Sequence, residues 1–342
     1  MRYNRIPIFI PQMGCPHACV YCNQREITGF AHSLDPEDIY KIIDLHLASL
    51  SKESSVEIAF FGGNFTAIPW PLQQAYLQQS QKYIEKGLVS GIRFSTRPDD
   101  IQEFRLPIYK AYGVNTIELG AQSLNDRVLS LSGRGHSKAE VEIASEKIKQ
   151  AGLRLGLQMM IGLPEDTLER ALETASEIIR LKADETRIYP TLVIEHTLLA
   201  QWYRQGKYRP LPLEEAIEWT CQLIPKFEEG DVRIIRVGLH PSQGLLSHQA
   251  YLAGPFHPSF RELAESRIWL NLWKKEHEKI LGDTDKVPKN KVLRLYVAPK
   301  EVNVAVGYHG ENRLYLKQYF KEVHVYGREG LKNREWDYDL GG

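Results

Sequence analysis

A chain of 342 residues, 43% hydrophobic and 25% charged, has the make-up of a folded globular protein, long enough for an α/β barrel of about 250 residues with an appendage. Its 43 Lys and Arg balance 43 Asp and Glu, which removes a global basic field as a reason to bind nucleic acid. No apolar run approaches a membrane span, and Met1–Pro11 is too short and too broken by proline for a secretion signal, so the cytoplasm is expected.

Residues Ile6–Ile10 read as a short buried strand that delivers a cysteine-bearing loop. Asp35-Pro36 opens a helix with Ile39, Ile42, Ile43 and Leu47 at helical spacing. A second strand, Val56–Phe61, ends in Gly62-Gly63-Asn64, and a glutamine-rich helix follows over 71–86. Further strands are expected at Ile92–Thr96, Val114–Leu119 and Leu153–Ile161. Ser137 and Glu140 form a capping box for a helix that runs to Gln150 and stops at Gly152. Asp166 and Glu169 are expected to cap a helix ending near Leu181. A sixth strand spans Arg187–Ile194, and a seventh is read at Ile234–Leu239. Gly254, Pro255 and Pro258 mark a boundary, after which come a helix over about Ser259–Ile280 and a polar linker, Gly282–Asn290.

Strands alternating with helices mean βαβ units and a parallel sheet. The first strand is not followed by a dinucleotide glycine fingerprint. The expected fold is therefore α/β: a partial (β/α)6 barrel of the TIM type over residues 1–245, a connecting helix over 246–285, and a small α+β module over 286–342. Chemistry in barrels sits at the carboxyl ends of the strands. The candidate motifs all fall there: the cysteine loop, Gly62-Gly63-Asn64, Ser95-Thr96-Arg97, Gln122 and Gln158.

Three of the four cysteines, Cys15, Cys19 and Cys22, stand close together after the first strand. A thiolate is a soft ligand suited to iron–sulfur clusters, zinc or Cu(I). A closed zinc site or a fully ligated cluster wants four protein ligands, so a trio leaves one coordination position for something else. A zinc site that borrows His17 is the alternative, although a zinc knuckle normally shows a second ligand pair within about twenty residues. An odd, isolated cluster of cysteines does not suit a disulfide framework. Cys221, far along the chain, reads as a small buried hydrophobe.

The cysteine spacing, with Tyr21 before Cys22, resembles the signature of the radical S-adenosylmethionine (SAM) enzymes. The resemblance implies that Cys15, Cys19 and Cys22 hold three irons of a 4Fe-4S cluster whose fourth iron binds SAM, and it places Tyr21 in the cofactor site. Gly62 and Gly63 match the family's pair that binds the methionine amino group, with Asn64 where Glu or Thr is common. Ile117–Ser123 resembles a Leu-Gly-Val-Gln-Ser segment of two subfamilies. These are the oxygen-independent coproporphyrinogen dehydrogenases and the catalytic subunit of Elongator, which modifies wobble uridine in tRNA. The likeness continues through Gly133–His136 and Gln158–Pro164. It implies SAM contacts from Gln122 and Gln158, whose amides suit ribose hydroxyls, and from Arg134, a bidentate donor for a carboxylate. The coproporphyrinogen enzymes carry Asp in place of Gln158 and Glu in place of Ser95. Ser95-Thr96-Arg97-Pro98 is closer to Elongator and brings Ser95 and Arg97 into the set. The kinship runs over about residues 5–245 and is closest to short bacterial Elongator-like proteins. Roughly a hundred residues follow, fewer than an acetyltransferase domain needs, so acetyl-CoA is not expected as a co-substrate. A flavodoxin or ferredoxin is the implied electron donor.

The tail reads as strand Val292–Val297, helix Pro299–Val306, turn Gly307-Tyr308-His309-Gly310, helix Glu311–Phe320 and strand Glu322–Tyr326. A GxxG turn between two helices, flanked by strands, looks like the core of a KH RNA-binding domain. Eleven Lys and Arg between Lys286 and Arg334 face four Glu, which suits a backbone-binding patch. Contact with tRNA or another RNA is expected through Gly307, Gly310 and this basic tail, although a packed helical hairpin needs the same glycines. The leading expectation is an enzyme whose SAM radical modifies a tRNA base. The alternatives are a radical SAM enzyme for a small or porphyrin-like molecule, and a non-catalytic metal-containing RNA-binding protein. No motif names a catalytic acid or base; Glu118, Tyr189, Glu195 and His196 stand near strand ends, where they could line a substrate pocket, but read first as structural or solvated.

Overall fold

The computed structural model describes residues 3–10, 19–23, 34–51, 54–241, 243–247, 249, 251–281 and 291–341. In chain order it begins β1 (Tyr3–Ile10), α1 (Ile39–Ser49), β2 (Ser55–Gly62), α2 (Trp70–Glu85), β3 (Gly91–Thr96), α3 (Leu106–Ala111) and β4 (Val114–Gln122). Next come α4 (Asp126–Leu131), α5 (Lys138–Gln150), β5 (Arg154–Ile161), α6 (Leu168–Arg180), β6 (Glu185–Pro190), β7 (Val193–Ile194), α7 (Leu198–Arg204) and α8 (Leu213–Glu229). Strand β8 (Arg233–Val237), the short α9 (Gln243–Leu246), β9 (Tyr251–Ala253) and the long α10 (Phe260–Leu281) follow. The chain divides into two compact units, Met1–Ala216 with Leu223–Pro258, and Ile217–Gln222 with Ser259–Gly342.

The first unit is the expected partial barrel. Seven parallel strands lie in the order β1-β2-β3-β4-β5-β6-β8, so the seventh strand read in the sequence joins the sheet. Apolar runs such as Val56, Ile58, Ala59 and Phe60 are buried on both faces, as parallel strands covered by helices must be. Strand β6 stops at Pro190, which has no N–H for the ladder, and the expected extension to Ile194 is a separate β7 pairing antiparallel with β9. The cap of α6 also differs. Thr167 is the N-cap and accepts from the Arg170 N–H, whereas Asp166 accepts from the N–H groups of Gly162 (2.9 Å) and Thr167 (3.1 Å) and braces the turn before it.

The second unit contains α10, read in the sequence as a connector. Trp269 and Trp273 of α10 are fully buried against Leu293, Leu295 and Val297 of β10 (Val292–Val297), and Trp273 Nε1 donates to Ala305 O (3.2 Å). Helices α11 (Val302–Val306) and α12 (Glu311–Leu316) and strand β11 (Glu322–Gly327) complete the expected β-α-α-β pattern, with α12 one turn shorter than expected. A further strand, β12 (Trp336–Gly341), pairs antiparallel with β10, while β11 pairs parallel on its other side. The linker 282–290 lies outside the described residues.

The glycine turn of this unit is built into its packing. Gly307 is buried at φ +91°, and a Cβ there would meet Asn312 N at 2.6 Å. Asn312 is itself buried, donating to Ser266 O (2.9 Å) and Val304 O (3.2 Å), and the Tyr308 N–H donates to Ser266 Oγ (3.1 Å). Gly307 therefore seats the turn on α10, the packing role that the sequence left open for these glycines; Gly310 stays half-buried. The basic surplus is also smaller than the segment to Arg334 suggests, because β12 adds Asp337 and Asp339, which pair with Arg328 and Arg294. Cys221 is buried as expected, donating to Ala264 O (3.3 Å), and burial pushes its thiol up to about 12.

Candidate active site

The floor of the barrel is a layer of buried charge. Arg93 of β3 is 0% exposed and donates to Glu118 of β4 (3.1 Å), to Glu57 of β2 (3.2 Å) and to Glu185 of β6. Two strands separate β3 from β6 in the sheet, so the last contact crosses the inside of a curled sheet and identifies the concave face. Arg187 of β6 clasps the same Glu118, and its guanidinium lies 4.7 Å from the Phe61 ring centroid of β2, again across the interior. Arg5 and Arg233 complete the pairing of Glu185. Burial alone raises a carboxyl pKa, but these arginines outweigh it and hold Glu118 below its usual range and Glu185 at about 2. Level with Glu118 and Glu185 on β5 is Gly156, where a Cβ would come within 2.7 Å of Glu118 Cγ. The strands read as apolar in the sequence thus carry charge on their inner face, and Glu118 is structural, as expected.

Above this layer, at the carboxyl ends of the strands, the predicted site residues converge. Cys19 is buried and Cys22 half-buried; Cys15 lies outside the described residues. Val20 is tied on both sides, its N–H donating to Ser132 O (3.1 Å) and its carbonyl accepting from the Leu199 N–H (2.7 Å). The Cys22 N–H closes a tight turn onto Cys19 O (3.0 Å). Arg134, 6% exposed, donates from Nη1 to Cys19 Sγ (3.2 Å) and from Nη2 to Gly120 O, while its Nε is buried without a partner. Burial opposes the charge on Arg134, but Tyr21 and Cys19 more than offset it and its pKa is raised. The Tyr21 hydroxyl is buried with no partner, and burial pushes its pKa up against the pull of Arg134.

Gly62 and Gly63 dock on the end of β1. The Gly63 N–H donates to Ile10 O (2.9 Å), and Gly62, at φ +106°, would bring a Cβ to 2.7 Å from that oxygen. The Asn64 side chain turns away into the protein. Its Oδ1 accepts from Thr66 Oγ1 (3.1 Å), from the Arg97 N–H (3.2 Å) and from Thr96 Oγ1, and its Nδ2 donates to Asp100. Arg97 is similarly engaged, gripping Asp99 through Nε (2.9 Å) and Nη2 (2.8 Å) and donating to Arg134 O. Asn64 and Arg97 therefore brace the site through their side chains and do not face open space. Gln122 takes an uncommon φ of +66°, and Gln158 Nε2 donates to its Oε1 (3.1 Å), so the two amides act as a pair. The Ser95 hydroxyl, level with Glu118, has no partner among the described residues.

Sequence reasoning missed several members. Asp99, Asp100, Thr66 and Thr96 lock Asn64 and Arg97 in place, and only the proximity of Thr96 and Asp99 to Arg97 in the chain hinted at it. His136 is buried beside Arg134. One ring nitrogen lies 3.3 Å from Ala121 O, the other has no partner, and burial with the cations Arg134 and Arg97 lowers its pKa to about 3. Glu195 pairs with Arg204 (2.7 Å), and Tyr189 accepts from Arg187 (3.1 Å).

The donor set fits an anionic, thiolate-held group. A buried guanidinium is aimed at a cysteine sulfur, and buried hydrogen-bonding groups of Arg134 and Tyr21 stand unpartnered beside it. Among the described residues no three His, Cys, Asp or Glu side chains converge on a metal position, Cys15 lying outside them.

Comparison with known proteins agrees with this geometry. A family model described as the Radical SAM superfamily matches residues 9–178, and a Radical_SAM C-terminal domain matches 183–269. The tRNA uridine(34) acetyltransferase of Dehalococcoides mccartyi is 25% identical over 270 residues, 68% of this chain and 58% of that protein. Human Elongator complex protein 3 is 29% identical over 302 residues, 74% of this chain and 54% of that protein. The chain thus spans little more than half the length of these relatives. Among solved structures, Elp3 from Methanocaldococcus infernus superposes with a TM-score of 0.62 at 21% identity, over 82% of this chain and 64% of that one, a likeness of fold. The chain belongs to the radical SAM superfamily and is a radical SAM enzyme, with a 4Fe-4S cluster and SAM as its cofactors.

Proposed function

We propose that this enzyme directs its radical at a tRNA base, with an anticodon uridine as the substrate best supported. What carries the reading is the kinship with proteins named for tRNA uridine(34) and Elongator. In this reading Cys15, Cys19 and Cys22 hold the cluster. Backbone at Gly62 and Gly63, the Gln122–Gln158 amide pair, Tyr21, Ser95 and Arg134 face SAM, with Asn64 and Arg97 as braces. When bound, cluster and SAM together supply a carbon radical that abstracts hydrogen. The chain's own residues give that chemistry a fixed, dry setting. Arg134 sets a positive charge against the Cys19 sulfur, and the ionic layer below fixes the strand ends that carry both amides. RNA would be engaged by exposed cations of the second unit. Arg313, Lys317 and Lys321 follow one another at a spacing of four, and none has a carboxylate partner among the described residues. A flavodoxin or ferredoxin would supply the electron.

The test is anaerobic reconstitution with iron, sulfide, SAM and unmodified tRNA, followed by mass analysis of nucleosides and of 5′-deoxyadenosine. The expected outcome is 5′-deoxyadenosine formed with tRNA present and a mass change confined to one uridine. Cleavage of SAM that tRNA leaves unchanged, with no altered nucleoside, would remove tRNA as the substrate.

A further inference from the structure

We propose that the outer face of α7 and the turn behind it, Leu198–Arg209, is the docking surface for a one-electron carrier with an acidic face, which reduces the cluster from this side. The proposal rests on the radical SAM reading and adds to it the place where the electron enters.

Three observations converge there. The first is a route. Cys19 is covalently followed by Val20, whose carbonyl accepts from the Leu199 N–H at 2.7 Å, and the neighbouring Leu198 is 45% exposed. The route from Cys19 therefore runs through its peptide link to Val20, the Val20 carbonyl, one short hydrogen bond to the buried Leu199 and the Leu198–Leu199 peptide to a surface residue. Electron tunnelling falls off steeply with distance and passes better through bonds than through gaps. The second is packing. Trp202, Leu199 and Tyr208 pack with Val20 and Tyr21, so this segment lies directly against the residues that follow Cys19. The third is charge. Between Leu198 and Pro212 the chain carries Arg204, Lys207 and Arg209 and no acid. Arg204 is held by Glu195, but Lys207 and Arg209 are exposed and have no partner among the described residues.

The same side chains give the surface relief. Trp202, Lys207 and Arg209 line a cavity of about 390 Å³ that also meets Glu165 and Asp166. At most one of these acids is left to offset the two cations. Glu165 is bound by Arg127 (3.0 Å), and the Asp166 carboxyl is tied to two backbone N–H groups. An exposed tyrosine and leucine, Tyr203 and Leu198, add apolar contact among the cations, the mix expected of a transient, electrostatically steered encounter. The electron balance is simple. The carrier is oxidised by one electron, the cluster is reduced by one, and no bond or proton moves.

The test compares the double variant Lys207→Glu/Arg209→Glu with the control Lys86→Glu/Lys182→Glu, which makes the same charge change at the amino ends of β3 and β6. The probe is a low-potential flavodoxin. Its binding is measured in the oxidised form, which passes no electron, and its hydroquinone is then used to bleach the cluster, with dithionite as a small reductant in parallel. The surface variant is expected to bind oxidised flavodoxin about tenfold more weakly at low salt and to be reduced by the hydroquinone about tenfold more slowly, with the deficit shrinking as salt rises. Reduction by dithionite, tRNA affinity and the control variant should be unchanged. Equal flavodoxin binding by the surface and control variants overturns the proposal, as does a loss of tRNA affinity in place of flavodoxin affinity, which would make the patch an RNA contact. Failure of dithionite to bleach the unmodified protein would instead sink the radical SAM reading beneath it.

Discussion

Arg134 looks in sequence like a partner for a ligand carboxylate, and the fold aims it at sulfur. In the proposed site, a buried cation donating to Cys19 would offset the negative charge that the cluster gains on reduction. Arg134→Gln should cost about 10–100-fold in SAM cleavage or iron retention, as loss of a group that orients a metal ligand does, and should make the cluster harder to reduce in an EPR-monitored redox titration. His136 tests the same pocket through pH. Its folded pKa of about 3 lies below the ordinary value near 6.5, so the unfolded chain takes up the proton first. Stability should therefore hold above pH 6.5 and fall on the order of 1–3 kcal/mol as pH drops from there toward 3. His136→Gln should flatten that slope in urea titrations. Neither effect was legible beforehand. The Gly133–His136 motif was visible, but whether a polar side chain meets a ligand or another protein atom depends on strand ends that are far apart in the sequence.

Among the elements, the ionic layer bears most directly on whether the barrel forms. Arg93 satisfies three carboxylates at once, so Arg93→Met strands them in a dry interior and should cost about 3–5 kcal/mol in denaturant titrations, more than most single changes. Glu57→Gln, which leaves Arg93 with two partners, should cost less. The barrel strands were readable because parallel strands covered on both faces are long apolar runs closed by Gly or Pro. Isolated charges such as Arg93 and Glu118 inside those runs were not read as a layer, since their partners sit on other strands. Strand β12 escaped for a related reason. Trp336-Asp337-Tyr338-Asp339 alternates acids with aromatics, and its acids become sheet residues only by facing Arg328 and Arg294. The α6 cap shows the limit of local signals. Asp166 and Thr167 are both good N-caps, and the turn at Gly162 decides between them by taking Asp166 for itself.

For the whole molecule, the proposed function gives the two units separate work, which mutation can test. Arg313→Glu/Lys317→Glu/Lys321→Glu removes unpaired cations from the second unit without touching the barrel. It should weaken tRNA binding and lower its salt dependence by a slope of about two to three, while SAM cleavage driven by dithionite in the absence of tRNA stays as before. Cleavage and binding falling together would mean that the two units are not functionally separable. The double tether on Val20 has another consequence. Both of its hydrogen bonds are made by protein alone, so this part of the proposed cluster site belongs to the scaffold. Zinc fingers collapse when their ion departs, because the ion is what folds them. Here loss of the cluster in air should leave the polypeptide folded, so that iron and sulfide restore it without refolding, an outcome that a melting curve of the stripped protein checks.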